Sequence, residues 1–169
     1  MASTPTPPTT ILQTEGKFEI RQYGALTLVR APMSARKDDA GFGKLFGFIS
    51  GRNKDSKKIA MTAPVLIEND GESGSMSFIM PHDMDSRSVP APGDPTLSLA
   101  TMPAGKFAVY RYSGGRSAKN EAKAGALLQD WMIQKKLVAQ SGPLFAYYDP
   151  PWIPVWFRRN EVWIRLASD

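Results

Sequence analysis

Phe18-Glu19-Ile20-Arg21-Gln22-Tyr23-Gly24-Ala25-Leu26-Thr27-Leu28-Val29-Arg30-Ala31-Pro32 is the stretch from which the fold is read. Phe18 and Ile20 alternate with Glu19 and Arg21, and Leu26 and Leu28 alternate around Thr27, the period of a half-buried strand. Gly24 marks a bulge or bend within it. Working outward, Asp38 or Asp39 can cap a helix running to about Ser50. Phe42, Leu45, Phe46 and Ile49 fall at i, i+3, i+4 and i+7, one helical face. Gly51 then ends the helix. Residues 58–68 and 75–80 read as two strands joined by a turn containing Asn69-Asp70-Gly71.

The order strand–helix–strand–strand then recurs. A Pro/Ser/Asp loop over 82–95 separates the copies. Residues 97–112 are strand-like, Ser117 is an N-cap for a helix to about Leu137, and Ala124, Leu127, Leu128, Trp131 and Met132 mark its buried face. Residues 144–148 and 161–166 close the second copy. The expected class is α+β: two pseudo-twofold-related βαββ units forming a sheet curled toward a distorted β-barrel, with two outer helices. Residues 1–15 read as a disordered Pro/Thr-rich arm and 16–169 as one domain, with half-units of about 16–81 and 96–169.

At 169 residues, 42% hydrophobic and 22% charged, the chain has the composition of a soluble globular domain. No apolar run has transmembrane length, and the N-terminal residues lack the basic-then-apolar order of a signal peptide. A cytoplasmic protein is expected, or a periplasmic one if a leader was removed. With no cysteine, thiolate metal sites, iron–sulfur clusters, covalent haem attachment and Cys nucleophiles are excluded. His82 is the one imidazole, so multi-histidine metal sites are excluded too. The net charge of +5 suits an anionic ligand, but the basic residues are scattered and no nucleic-acid fingerprint surrounds them.

The segment Tyr147-Tyr148-Asp149-Pro150-Pro151-Trp152-Ile153-Pro154-Val155-Trp156-Phe157-Arg158-Arg159 carries the strongest functional signal. Three prolines fix φ and remove donors, so it is a stiff loop rather than a central strand. Aromatic rings followed by a double arginine suit a flat, apolar, anionic ligand; a packed loop closing the sheet is the plainer reading. Arg158 and Arg159 can grip carboxylates, or one can pair with Glu161 or Asp149. In the first helix Gly41, Gly43 and Gly47 need a reason. Bare backbone lets a flat ligand approach while Phe42 and Phe46 stack on it; alternatively it lets the helix pack closely on a strand. Ser34-Ala35-Arg36-Lys37 matches Ser-x-x-Lys without any supporting element.

Three segments together resemble the SOUL/haem-binding protein family. They are Phe18-Glu19-Ile20-Arg21-Gln22-Tyr23; Phe48-Ile49-Ser50-Gly51-Arg52-Asn53 with Lys58-Ile59-Ala60-Met61-Thr62-Ala63-Pro64-Val65; and Tyr148-Asp149-Pro150-Pro151 with Arg158-Arg159-Asn160-Glu161-Val162-Trp163. The resemblance implies a distorted barrel of two βαββ units and non-covalent binding of haem or another tetrapyrrole between the first helix and the Tyr-Asp-Pro-Pro loop. Phe42, Phe46, Trp152, Ile153, Trp156, Arg158 and Arg159 are then the binding residues. Members that hold propionates with basic side chains have them where this chain has Asp39, Gly47 and Ile153, so Lys44, Arg158 or Arg159 would have to substitute. Some members have an axial histidine upstream of the first helix; this chain has none there. His82 is an alternative axial ligand, as are Met33, Met61, Met80, Met84 and Met102.

The expected protein is a tetrapyrrole carrier or buffer, a monomer or weak homodimer. The alternatives are a small-molecule hydrolase or ligand-binding domain of the GyrI-like type, acting through Glu19, Glu68, Glu121 or Glu161, and a protein-interaction module using the aromatic loop.

Overall fold

A computed structural model describes residues 4–34, 39–70 and 73–168. Its elements run β1 (Thr9–Glu15), β2 (Phe18–Tyr23), β3 (Leu26–Ser34), α1 (Asp39–Ile49), β4 (Val65–Asp70), β5 (Ser73–Ile79), β6 (Ser98–Met102), β7 (Gly105–Tyr112), α2 (Ala118–Gln134), β8 (Leu144–Tyr147) and β9 (Asn160–Arg165). The class is α+β, and the strands within each unit are antiparallel. The chain divides into two compact units, one of residues 1–7 and 25–103 and the other of 8–24 and 104–169.

Each unit is built on the expected βαββ order. In the first, β3-α1-β4-β5 places its strands as β4-β5-β3, with β6 added beside β3. In the second, β7-α2-β8-β9 places them as β8-β9-β7, with β2 and then β1 added beside β7. The stretch 18–32 is therefore not one bent strand. It breaks at Gly24 and Ala25, and β2 belongs to the second unit while β3 belongs to the first. Residues 97–112 divide in the same way at Pro103, which has no N–H to continue a ladder. The half-units of 16–81 and 96–169 give way to units drawn from beyond those limits: the first takes β6 and the second takes β1 and β2.

Thr9–Glu15, expected inside a disordered arm, is strand β1. It is rich in β-branched residues and pairs with β2 from Thr9↔Tyr23 to Glu15↔Phe18, with an irregularity at Leu12. Gly16, at φ +60°, starts the two-residue turn between them. The strand expected over 58–68 begins only at Val65. Before it, the backbone bonds go elsewhere: Ile59 N donates to Ile49 O (2.8 Å) and Ala63 N to Pro5 O (2.9 Å). Pro64 can donate nothing.

Asp38, the Ser-x-x-Lys positions 35–37 and Gly71 lie outside the described residues. Asp39 is already the first residue of α1. Gly51, at φ +118°, ends α1 as expected. The buried face of α1 is Gly41, Leu45, Phe48 and Ile49 rather than the face through Phe42 and Phe46. In α2, Asn120 N donates to Ser117 Oγ (3.1 Å), so the expected N-cap is in place. Ala124, Leu128, Trp131 and Met132 are buried with Ala108, Phe145, Val162 and Ile164; Leu127 is exposed.

Candidate functional site

The loop over 148–159 connects β8 to β9 and has an exposed tip and a buried base. Within the tip, Ile153 N donates to Pro150 O (3.1 Å), and Phe157 N to Pro154 O (2.9 Å) in a 3-10 turn over Val155–Phe157. Arg158 folds back across it, its Nε on Ile153 O (2.8 Å) and Nη2 on Pro151 O (2.6 Å). Gly114 N donates to Val155 O (3.0 Å), tying the turn to the segment before α2. The rings are left to solvent: Trp152 is 80% exposed, Trp156 69% and Phe157 74%, while Ile153 is half-buried. Large aromatic side chains this exposed on a stiff loop are unusual and make it the candidate surface.

At the base, Glu161 is fully buried. Arg21 grips its carboxylate with two parallel bonds, Nη1 to Oε1 (2.8 Å) and Nη2 to Oε2 (2.7 Å). Tyr148 Oη donates to Oε1 (2.7 Å), Trp163 Nε1 to Oε1 (2.9 Å), and Arg159 Nη2 to Oε2 (2.9 Å). Arg21 Nε reaches Glu19 Oε2 (2.6 Å), and Arg111 stands 3.5 Å from the other oxygen of Glu19. Burial alone would raise the Glu161 pKa; the Arg21 bonds and charge, with those of Trp163 and Tyr148, outweigh it and hold it at about 2. Burial first, then the Glu161 charge, pushes the Tyr148 phenol well above its usual range.

Of the two arginines proposed as carboxylate grips, Arg159 is engaged inside the protein. It bonds Glu161, lies 4.2 Å over the Tyr148 ring, and its backbone N donates to Asp149 Oδ2 (2.5 Å). Arg158 has no carboxylate partner among the described residues, and its guanidinium donates to two backbone carbonyls.

In the first unit, α1 presents a separate apolar face. Phe42 is 42% exposed and Phe46 51%; their rings stack at 6.1 Å, and Phe42 meets the buried Phe78 edge-on at 5.4 Å. Close strand packing does not account for the glycines. A Cβ at Gly43 would meet nothing within 4 Å, and one at Gly41 would make ordinary contact with Ala31 at 3.8 Å. At Gly47 it would press on the flexible Arg52 side chain at 3.1 Å. Lys44 Nζ bonds Thr96 Oγ1 (3.1 Å).

His82 is exposed and belongs to the first unit, beside a cavity of about 180 Å³ shared with Pro5, Thr6 and Pro7. That is smaller than the usual site for even a drug-sized ligand, roughly 300–1,000 Å³. Met33 and Met80 are buried in the core. Among the described residues no group of three or more His, Asp or Glu could hold a metal ion, and no helix is long and apolar enough to cross a membrane.

The carboxylates offered for proton transfer are engaged differently. Glu161 is saturated by donors and held ionised. Glu121 accepts a bond from the Tyr147 hydroxyl, Glu19 is paired with arginines, and Glu68 stands exposed on β4. The sequence reading missed the Arg21–Glu161 pair. Its signal was present: Glu19, Arg21 and Tyr23 share one face of β2, and that face is more buried than the one bearing Phe18 and Ile20.

A family model described as "SOUL heme-binding protein" matches residues 4–165. Human heme-binding protein 2 is 27% identical over 161 residues, an alignment covering 88% of this chain and 78% of the human protein. Among solved structures, the EcmrR C-terminal domain superposes with a TM-score of 0.64 at 12% identity, over 90% of this chain and 98% of that one. A hydrolase from Listeria innocua gives 0.66 at 10% identity, over 92% and 94%. SAV2435, solved bound to tetraphenylphosphonium, gives 0.51 at 14% identity, over 89% and 94%.

Proposed function

The chain belongs to the SOUL haem-binding protein family, and from that premise we propose that it binds haem or a related tetrapyrrole non-covalently, as a carrier or buffer. The observation that carries this reading is the exposed aromatic tip over 148–159, held rigid by prolines and by its own arginine. A macrocycle needs a broad apolar surface. Trp152, Ile153 and Trp156 offer one in the second unit, and Phe42 and Phe46 offer another in the first. Stacked aromatic area contributes most of the affinity, at about 25 cal/mol per Å² of apolar surface removed from water. Arg158 is the cation suited to an anionic substituent at the loop; Arg159 acts by fixing the base through Glu161. The distorted-barrel arrangement of the two units belongs to the same proposal, as do a monomeric or weakly dimeric state, a cytoplasmic setting and the absence of a nucleic-acid partner.

Iron ligation contributes little in this reading, because His82 lies on neither apolar face. Titration with haem and with metal-free protoporphyrin IX, followed by tryptophan quenching and by the Soret band, tests it. Saturable micromolar binding of both, with similar affinity, is expected. His82→Ala leaves the Soret position and affinity unchanged. Absence of saturable quenching with either ring overturns the function. A tenfold loss in His82→Ala assigns the iron to that imidazole instead.

A further inference from the structure

A second surface in the second unit is independent of the aromatic loop. A groove of about 640 Å³ lies among β1, β2, the start of β7, the segment after α2 and the end of β9. Its size falls in the range of small-molecule sites. Ile20, Leu137 and Leu166, all half-buried, give it an apolar floor, and the exposed Leu12 of β1 extends that floor. Lys106, Lys136 and Arg165 line it, and none of its described lining residues is acidic.

The cations are placed by the fold. Lys136 takes a left-handed φ of +59° where the chain leaves α2, with Lys136 N on Ile133 O (3.1 Å) and Leu137 N on Met132 O (2.9 Å). This turn puts Lys136 and Leu137 side by side at the groove. Arg165 lies 4.6 Å over the Phe107 ring and donates from Nη1 to Ala104 O (3.2 Å). Gly105 makes that position available, since a Cβ there would collide with the same Nη1. Lys106 and Lys136 have no carboxylate partner among the described residues. Nearby Lys135 is paired, to Glu15 at 3.0 Å.

We propose that this groove binds an amphipathic organic anion, a carboxylate with an aliphatic body: the chain lies on Leu12, Ile20, Leu137 and Leu166, and the carboxylate meets Lys106 and Lys136 beside Arg165. A field of one sign over a low-dielectric floor concentrates such anions and rejects cations of the same length. No residue is shared with the proposed tetrapyrrole surface, so either site can fail without the other.

Calorimetric titration of the full chain with decanoate below its micelle concentration, and with decyltrimethylammonium as the cationic control, tests the proposal. Saturable decanoate binding at one site is expected, at least tenfold weaker in the Lys106→Gln/Lys136→Gln double variant and in Leu12→Glu, with no binding of the cation. These substitutions are at exposed positions; a circular-dichroism melt checks that they fold, and a protoporphyrin titration reads the other site. Absence of decanoate binding, unchanged affinity in both variants, or equal binding of the cation overturns it.

Discussion

The tip and the base of the 148–159 loop are adjacent in sequence and opposite in physics. At the tip, aromatic side chains with almost no tertiary partners face water. At the base, a fully buried carboxylate accepts from Arg21, Tyr148, Trp163 and Arg159. The tip is held by its own prolines and turns, the Arg158 bonds, the Gly114 N–Val155 O bond and the anchorage below. The difference teaches that an exposed loop can draw its stiffness from a charge network buried beneath it.

The sharpest way to break this division is Glu161→Ala. It leaves Arg21 buried without its bidentate partner, and the expected loss of folding stability is about 3–5 kcal/mol. A denaturant melt measures it; a loss under 1 kcal/mol would mean that the network is not what anchors the base.

Acid probes the same residue without mutation. The folded pKa of Glu161 is depressed to about 2 from an ordinary 4.5. Its contribution to stability is therefore complete above about pH 4.5 and is lost as the pH falls from there toward 2. Arg159→Gln, which removes two guanidinium bonds to Oε2 and a positive charge, should move the acid-unfolding midpoint upward. A midpoint that stays put or moves down contradicts this linkage.

At the tip the expectation reverses. Trp152→Ala and Trp156→Ala should each weaken tetrapyrrole binding by about 1–3 kcal/mol and leave the melting temperature nearly unchanged. Unchanged affinity in both places the ring elsewhere. On the first unit's apolar face, Gly43→Ala should stabilise α1 by about 0.5–1 kcal/mol, because nothing lies where the new methyl would sit. If ligand affinity falls while the melting temperature rises, the bare backbone belongs to the binding surface. If affinity is unaffected, Gly43 has no part in it.

Much of this was legible in the sequence. The βαββ order stood out twice because helical and strand periods differ, and Ser117 and Gly51 marked helix ends through capping chemistry that operates locally. What failed was whatever depends on distant partners. Neither Gly24 nor Pro103 could reveal that the chain changes units there, since that is set by pairing with β7 and β3. Phe42 and Phe46 fit an apolar helical face by spacing, but the helix turns Leu45 and Phe48 inward instead. The Glu15-Gly16-Lys17 turn was the overlooked local cue to β1. Glu19 and Arg21 looked like the wet side of a strand because their satisfying partners lie on β7 and β9.

The placement of β2 in the second unit also sets a timetable for synthesis. Arg21 is separated from Glu161 by 140 residues. At a translation rate of about 5–20 residues per second, Arg21 leaves the peptidyl-transferase centre roughly 7–28 s before its partner is made. Over the first part of that interval, until β7 is made, the β1–β2 hairpin has no strand to pair with, and an isolated hairpin is marginally stable at best. Its open edge is then a template for pairing with other nascent chains. Expression yield should therefore respond to holdase chaperones more strongly than the stability of the finished fold would indicate.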